Sequence, residues 1–138
     1  MIGSHCIKTY SSTQDIIALS SGEAEFYGIV KAGSHGLGVV GIFRDLGLEF
    51  GLQINTDSVA AKSICSRRGA GKVRHLDVRE LWIQERVARG DLSVRKVHGP
   101  DNLADLLTKH VPRSVLDKHL ENCREFRRLG RHVLSPSI

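Results

Sequence analysis

The sequence predicts a small α/β domain. Strand-like and helix-like segments follow one another in the order β-α-β-α-α-β-α-α. Residues 52–64 pass from a period of two to a helical period within two positions. The 138 residues are 41% hydrophobic and 25% charged, the balance of one ordinary globular domain.

Residues 1–19 read as extended chain. Ile7 and Thr9, then residues 16–19, are β-prone on either side of the polar run at 11–15. One long irregular strand and a loose hairpin both fit. Ser20 then opens a helix, and Glu23 three residues on completes a capping box. Phe26, Ile29, Val30, Leu37, Val40, Phe43 and Leu46 carry the helical spacing to Gly47. Gly28, Gly33, Gly36, Gly38 and Gly41 each cost about 0.8–1 kcal/mol relative to alanine. A kinked or broken helix is therefore expected, with glycines permitting close packing where they face a neighbour.

In residues 52–64, Leu52, Ile54 and Thr56 alternate with Gln53 and Asn55, the period of a half-buried strand. Val59, Ala60, Ser63 and Ile64 then recur at helical spacing, with Asp57 or Ser58 as N-cap. Asp57 thus sits where a strand ends and a helix begins, the edge at which ligands gather in open α/β sheets. Its carboxylate can cap the helix or hold a cation.

Residues 77–90 form the clearest helix. Asp77 and Glu80 suit a second capping box, Val78, Leu81, Trp82 and Ala88 make an apolar stripe, and Gly90 supplies the stop. Leu92, Val94 and Val97 suggest a strand ending at His98-Gly99-Pro100. Asp101 or Asn102 opens a short helix through Leu107. Residues 114–129 form a final amphipathic helix with Val115, Leu116, Leu120, Cys123 and Phe126 on one side, before a frayed end at 135–138. No repeat and no linker interrupts this order.

Seven aromatic residues leave a mostly aliphatic core. No apolar run approaches a membrane span and the N-terminus has no signal-peptide pattern, so an intracellular setting, cytoplasm or nucleus, without a membrane partner is expected. Cys6, Cys65 and Cys123 lie far apart, lack zinc-ligand spacing, and read as reduced thiols. The net charge of +5 and pI of about 9.4 suit a polyanionic partner. Lys62, Arg67, Arg68, Lys72 and Arg74 cluster with no intervening acid, and Gly69 and Gly71 make this run a mobile basic loop suited to phosphates.

Three acids stand out by placement. Asp57 ends a strand, Glu25 lies in the first turn of a helix where a negative charge is favoured, and Asp105 follows the last strand. Carboxylates gathered at one sheet edge bind Mg²⁺, and two such ions activate water and stabilise a leaving phosphodiester oxygen. Each also has a plain reading: first-turn charge, N-cap and solvent-facing acid.

Four motifs in order carry a resemblance: SSGEAEFYGIVKA at 20–32, INTDSVAAKSI at 54–64, RHLDVRELWIQERVARGDLSV at 74–94 and DNLADLLTKHVPR at 101–113. Together they resemble the ribonuclease H domain of copia-type LTR retrotransposon polyproteins over residues 5–113. The resemblance implies a five-stranded mixed sheet flanked by helices. It also implies cleavage of RNA in RNA–DNA hybrids by two divalent metals, Mg²⁺ or Mn²⁺, held by four carboxylates. Glu25, Asp57 and Asp105 match three of these ligands, with Glu23 left to capping. His98 falls in the loop where related enzymes carry a mobile histidine, a looser match for which a plain surface histidine is the equal alternative.

The family's first catalytic aspartate and first two strands precede the residues that resemble 6–19. The expectation is therefore a ribonuclease H-like domain over 1–113 that lacks its first two strands, followed by a basic amphipathic helix and tail over 114–138. It is expected to engage RNA–DNA hybrid or other nucleic acid, beside the reverse transcriptase of the same polyprotein, with little or no nuclease activity alone. The alternatives are a non-catalytic nucleic-acid- or partner-binding remnant and a gene fragment without function of its own.

Overall fold

The computed structural model describes residues 1–71, 76 and 78–125. It divides into two compact units, one from Gln14–Asn102 and one from Met1–Thr13 with Leu103–Ile138.

The Gln14–Asn102 unit is mixed α/β. Its elements are α1 (Ser21–Asp45), β1 (Leu52–Thr56), α2 (Val59–Ser66), a 3₁₀ turn (Val78–Leu81), α3 (Trp82–Arg89) and β2 (Leu92–Lys96). A further 3₁₀ turn spans Gly99–Asp101. β1 and β2 pair in parallel, Leu52 opposite Leu92 through Thr56 opposite Lys96. Parallel neighbours need a crossover, here α2 and α3. Ile54 and Thr56 turn inward while Gln53, Asn55, Ser93 and Arg95 face solvent. The sheet is thus apolar on one face only, and the helices lie there.

α1 is one continuous helix of 25 residues, contrary to the expected break. Two of the five glycines, Gly33 and Gly36, are sites of close packing, while Gly28, Gly38 and Gly41 face open space. A Cβ at Gly33 would stand 2.5 Å from Ile83 Cδ1, one at Gly36 2.6 Å from Leu52 Cδ1, and one at Gly22 2.8 Å from Ala60 Cβ. Close approach of α3, β1 and α2 at these positions offsets the weak helix propensity. By length and hydropathy α1 could cross a membrane, against the sequence expectation. Here Phe26, Tyr27, Ile29 and Val30 instead meet Ile54, Ala61, Ile64, Cys65, Leu76, Ile83 and Leu92 in one core.

The N-terminal β-prone segments form no strand. Ile2 and His5 make an isolated bridge, and residues 6–19 are irregular. Ile17 and Leu19 are exposed. Of the mixed sheet that the resemblance implies, only the β1–β2 pair is present among the described residues.

Helix faces also shift. α2 buries Ala61, Ile64 and Cys65 and exposes Val59 and Ala60. α3 buries Ile83 and Gln84 and leaves Val78, ahead of it, 76% exposed. The 3₁₀ turn advances 120° per residue and so rotates the stripe away from the α-helical reading. Asp77, the proposed cap, lies outside the described residues. Gly90 ends α3 at φ 80°, as expected.

In the second unit, Leu103–Leu107 is a 3₁₀ turn and α4 spans Arg113–Asn122. Val115, Leu116 and Leu120 are half-buried and Cys123 is buried, matching the expected face, to which His119 is added. The rest of the expected helix, including Phe126, lies outside the described residues.

Candidate functional site

The C-terminal edge of the strand pair is built from hydrogen bonds that the sequence can be read for. Val97 N donates to Thr56 O at 2.9 Å, carrying the parallel pairing one residue past the strands. Asp57 and His98 therefore leave the sheet side by side. Thr56, 4% exposed, accepts from Ser58 N through Oγ1 at 3.1 Å. Ser58 Oγ accepts from Ala61 N at 3.1 Å and is the N-cap of α2. Two hydroxyls thus do the capping for which Asp57 was a candidate. Replacing Ser58 by alanine should cost about 1 kcal/mol in chemical denaturation, and Asp57→Ala less, because only the former strands an N–H.

Asp57 is left half-buried, its carboxylate without a hydrogen-bond or ion-pair partner among the described residues. A Cβ on Gly99 would lie 3.8 Å from Asp57 Oδ2, so the 98–99 backbone stands against the carboxylate. His98 itself is exposed. This acid has the open coordination that a cation or a phosphate-bound water needs.

Glu25 is exposed on the second turn of α1. It shares a face with Gly22, three residues earlier, which packs on Ala60 at the start of α2. The first turns of α1 and α2 therefore meet, and Glu25 and Asp57 belong to the same end of the unit. Glu23 behaves differently. It is 2% exposed, its Oε2 accepts from Leu19 N at 2.9 Å, and Tyr27 Oη donates to its Oε1 at 3.1 Å. Its own N–H bonds Ser20 Oγ at 3.2 Å, so the capping box holds with its return arm one residue further back.

Asp105 belongs to the other unit, where Lys109 Nζ donates to its Oδ2 at 2.9 Å. Among the described residues no three His, Cys, Asp or Glu side chains group so as to hold a metal ion. The set of Glu25, Asp57 and Asp105 does not form a complete Mg²⁺ or Mn²⁺ site within either unit, and no metal-dependent step follows from it.

The basic run is more ordered than its composition suggests. Lys62 is half-buried on α2 and Arg68 is exposed; Lys72 and Arg74 lie outside the described residues. Arg67 Nη2 donates to Ala70 O, and a Cβ at Gly71 (φ 62°) would lie 2.8 Å from Arg67 Cζ. The chain wraps its own guanidinium. Gln84, 7% exposed, clamps the same loop. Its Nε2 donates to Ile64 O at 2.8 Å and Gly69 O at 3.0 Å, and Gly69 N donates to its Oε1 at 2.8 Å. Gly69 adopts φ 74°, available cheaply only to glycine. Gln84 was missed in the sequence; the signal was an amide between Ile83 and Val87 on a buried face. A cavity of about 400 Å³ lined by Asp15, Tyr27, Lys31, Glu80 and Trp82 does not include the Asp57 edge.

The chain is 33% identical over 129 residues to the retrovirus-related Pol polyprotein from transposon TNT 1-94 of Nicotiana tabacum. It is homologous to a segment of retrovirus-related Pol polyproteins. A second relative, the Pol polyprotein from transposon RE1 of Arabidopsis thaliana, is 28% identical over 117 residues. These alignments cover 91% and 83% of this chain but 9% and 8% of the polyproteins. No family model matches the chain, and no solved structure matches it. The Asp57 edge, the clamped basic loop and α1 are thus parts of one Pol-related segment.

Proposed function

We propose that this Pol-related segment is the ribonuclease H-like portion of a copia-type retrotransposon polyprotein, and that by itself it binds RNA–DNA hybrid without cleaving it. The observation that carries the reading is Asp57: a half-buried carboxylate without a partner among the described residues, at the C-terminal edge of a parallel strand pair and backed by the 98–99 turn. Glu25 at the same end of the unit supports it, as does homology to Pol polyproteins. In the setting that the resemblance implies, Asp57 and Glu25 would lend oxygen ligands to Mg²⁺ or Mn²⁺, and the metals would supply water activation and leaving-group stabilisation. Within this chain, Lys62 and Arg68 contribute positive charge for backbone phosphates, and Lys72 and Arg74 extend that run in sequence.

The test uses the full chain with an end-labelled RNA–DNA hybrid in Mg²⁺ or Mn²⁺. The expected result is no detectable cleavage together with salt-sensitive binding. Three or four phosphate contacts correspond to a loss of roughly 40- to 150-fold in affinity between 50 and 200 mM salt. Arg68→Ala should weaken binding several-fold, while Asp57→Asn leaves it unchanged or slightly tighter. Robust cleavage abolished by Asp57→Asn would overturn the non-cleaving part of the proposal. Absence of hybrid affinity at low salt would overturn the binding part.

A further inference from the structure

We propose that Cys6 and Cys123 are a redox-active thiol pair that exchanges with a small disulfide such as oxidised glutathione, closing a reversible latch between the N-terminal segment and the end of α4. Both residues belong to the same compact unit. Cys123 is the C-cap of α4, and its carbonyl is one of the orphan acceptors that a helix end leaves. Cys6 N supplies the missing donor, at 3.3 Å from Cys123 O. A direct N–H···O bond between the two residues fixes their separation. With Cα one covalent bond from the donor nitrogen and two from the acceptor oxygen, a 3.3 Å N···O contact holds the two Cα atoms within about 7 Å of each other, a separation that overlaps the roughly 4.4–6.8 Å a disulfide spans.

The two thiols are unequal. Cys6 is half-buried on irregular chain and reachable, whereas Cys123 is 9% exposed. Burial pushes the Cys123 thiol up, with the nearby Cys6 and Glu125 charges adding to the effect. Cys6 is thus the attacking group and Cys123 the resolving one. In the first step the Cys6 thiolate attacks one sulfur of glutathione disulfide, forming a mixed disulfide and releasing one glutathione thiolate. That step also removes the Cys6 charge that opposed ionisation of Cys123. The Cys123 thiolate then attacks Cys6 Sγ and releases the second glutathione. Two protein thiols are oxidised, one small disulfide is reduced, and the two protons leave on the glutathiones. Cys65, buried in α2 with its pKa pushed up to about 11 by burial, stays out of the exchange.

The experiment equilibrates the full-length chain in reduced and oxidised glutathione at graded ratios, quenches with acid and alkylating agent, and maps disulfides by mass spectrometry. The expected product is a monomer carrying a Cys6–Cys123 bridge with Cys65 alkylated, and its Tm lies roughly 5 °C or more above that of the reduced chain. The bridge is lost in Cys6→Ser and Cys123→Ser and kept in Cys65→Ser. In strong denaturant the same oxidation should scatter among the three possible pairings. Separate glutathione adducts on Cys6 and Cys123, dimers in place of the internal bridge, or an equal yield of the bridge in denaturant would each overturn the proposal. The wild-type map decides the matter even if a serine variant fails to fold.

Discussion

Phe26→Ala is expected to destabilise the chain by about 4 kcal/mol, enough to remove most of the stability of a domain this small. The ring is completely buried, and it sits in α1 where the apolar side chains of both strands, α2 and α3 converge. Truncation removes its transfer free energy and leaves a cavity. Its neighbours refill that cavity poorly. Ile83 already packs against α1 at Gly33, where a Cβ would stand 2.5 Å from its Cδ1. The Phe26–Tyr27 ring pair, with centroids 5.7 Å apart, is lost as well. Urea unfolding followed by circular dichroism should show the midpoint falling by roughly 1.3–4 M, given slopes of about 1–3 kcal/mol/M for small proteins. Ile17→Ala, at a side chain 87% exposed, serves as control and should stay within about 0.5 kcal/mol. A Phe26→Ala cost below about 1.5 kcal/mol would mean that the core is not organised on α1.

The parts legible in the sequence were those fixed by local chemistry. The alternation of Leu52, Ile54 and Thr56, the Ser20 cap, the Gly90 stop and the strand after it are all found where periodicity and capping put them. Local rules failed where long-range packing decides. Five glycines argued for a broken α1, yet Gly33 and Gly36 are sites of contact with Ile83 and Leu52, a benefit invisible without the partners. The β-prone residues at 7, 9 and 16–19 had the side chains of a strand but pair with no strand among the described residues. Val78 was placed on the wrong face because a 3₁₀ turn and an α-helix advance by different angles.

At the candidate site the sequence located Asp57 at a strand–helix junction but left open whether it caps or coordinates. The structure resolves the cap in favour of Ser58, with Thr56 holding Ser58 N, and that frees the Asp57 carboxylate. Asp105 was legible as an acid after the last strand, whereas its ion pair with Lys109, four residues on, was an ordinary helical spacing that went unremarked. The basic loop was read from its charge and from Gly69 and Gly71, as a mobile element. Its charge is real, but one of its arginines is turned into the loop's own scaffold.

Gln84 makes the second large prediction. Its side chain joins three backbone groups from two places: the carbonyl of Ile64 near the end of α2, and both polar groups of Gly69. Substitution by leucine keeps the volume and removes all three bonds in a buried place, leaving an N–H and two carbonyls unpaired. Such groups cost about 1–3 kcal/mol each when they stay dry, and loop opening to water limits the total to about 3 kcal/mol. The opening is itself measurable, as faster hydrogen exchange at Gly69 N–H in the variant. Because Arg67 and Arg68 are carried on that loop, hybrid affinity should fall by more than Arg68→Ala alone produces. Gln84→Glu separates hydrogen bonding from shape. A carboxylate there still accepts from Gly69 N but faces two carbonyl oxygens with no hydrogen to offer. Its folded-state pKa is therefore raised above the usual value near 4.3, and the charged form is the destabilised one. The stability gap from wild type should be small at pH 4, where the acid donates to one carbonyl. It should widen as pH rises toward 7, as the folded state releases its proton at a cost the unfolded chain does not bear. A gap that stayed constant with pH would show that the Gln84 amide does not face those two carbonyls.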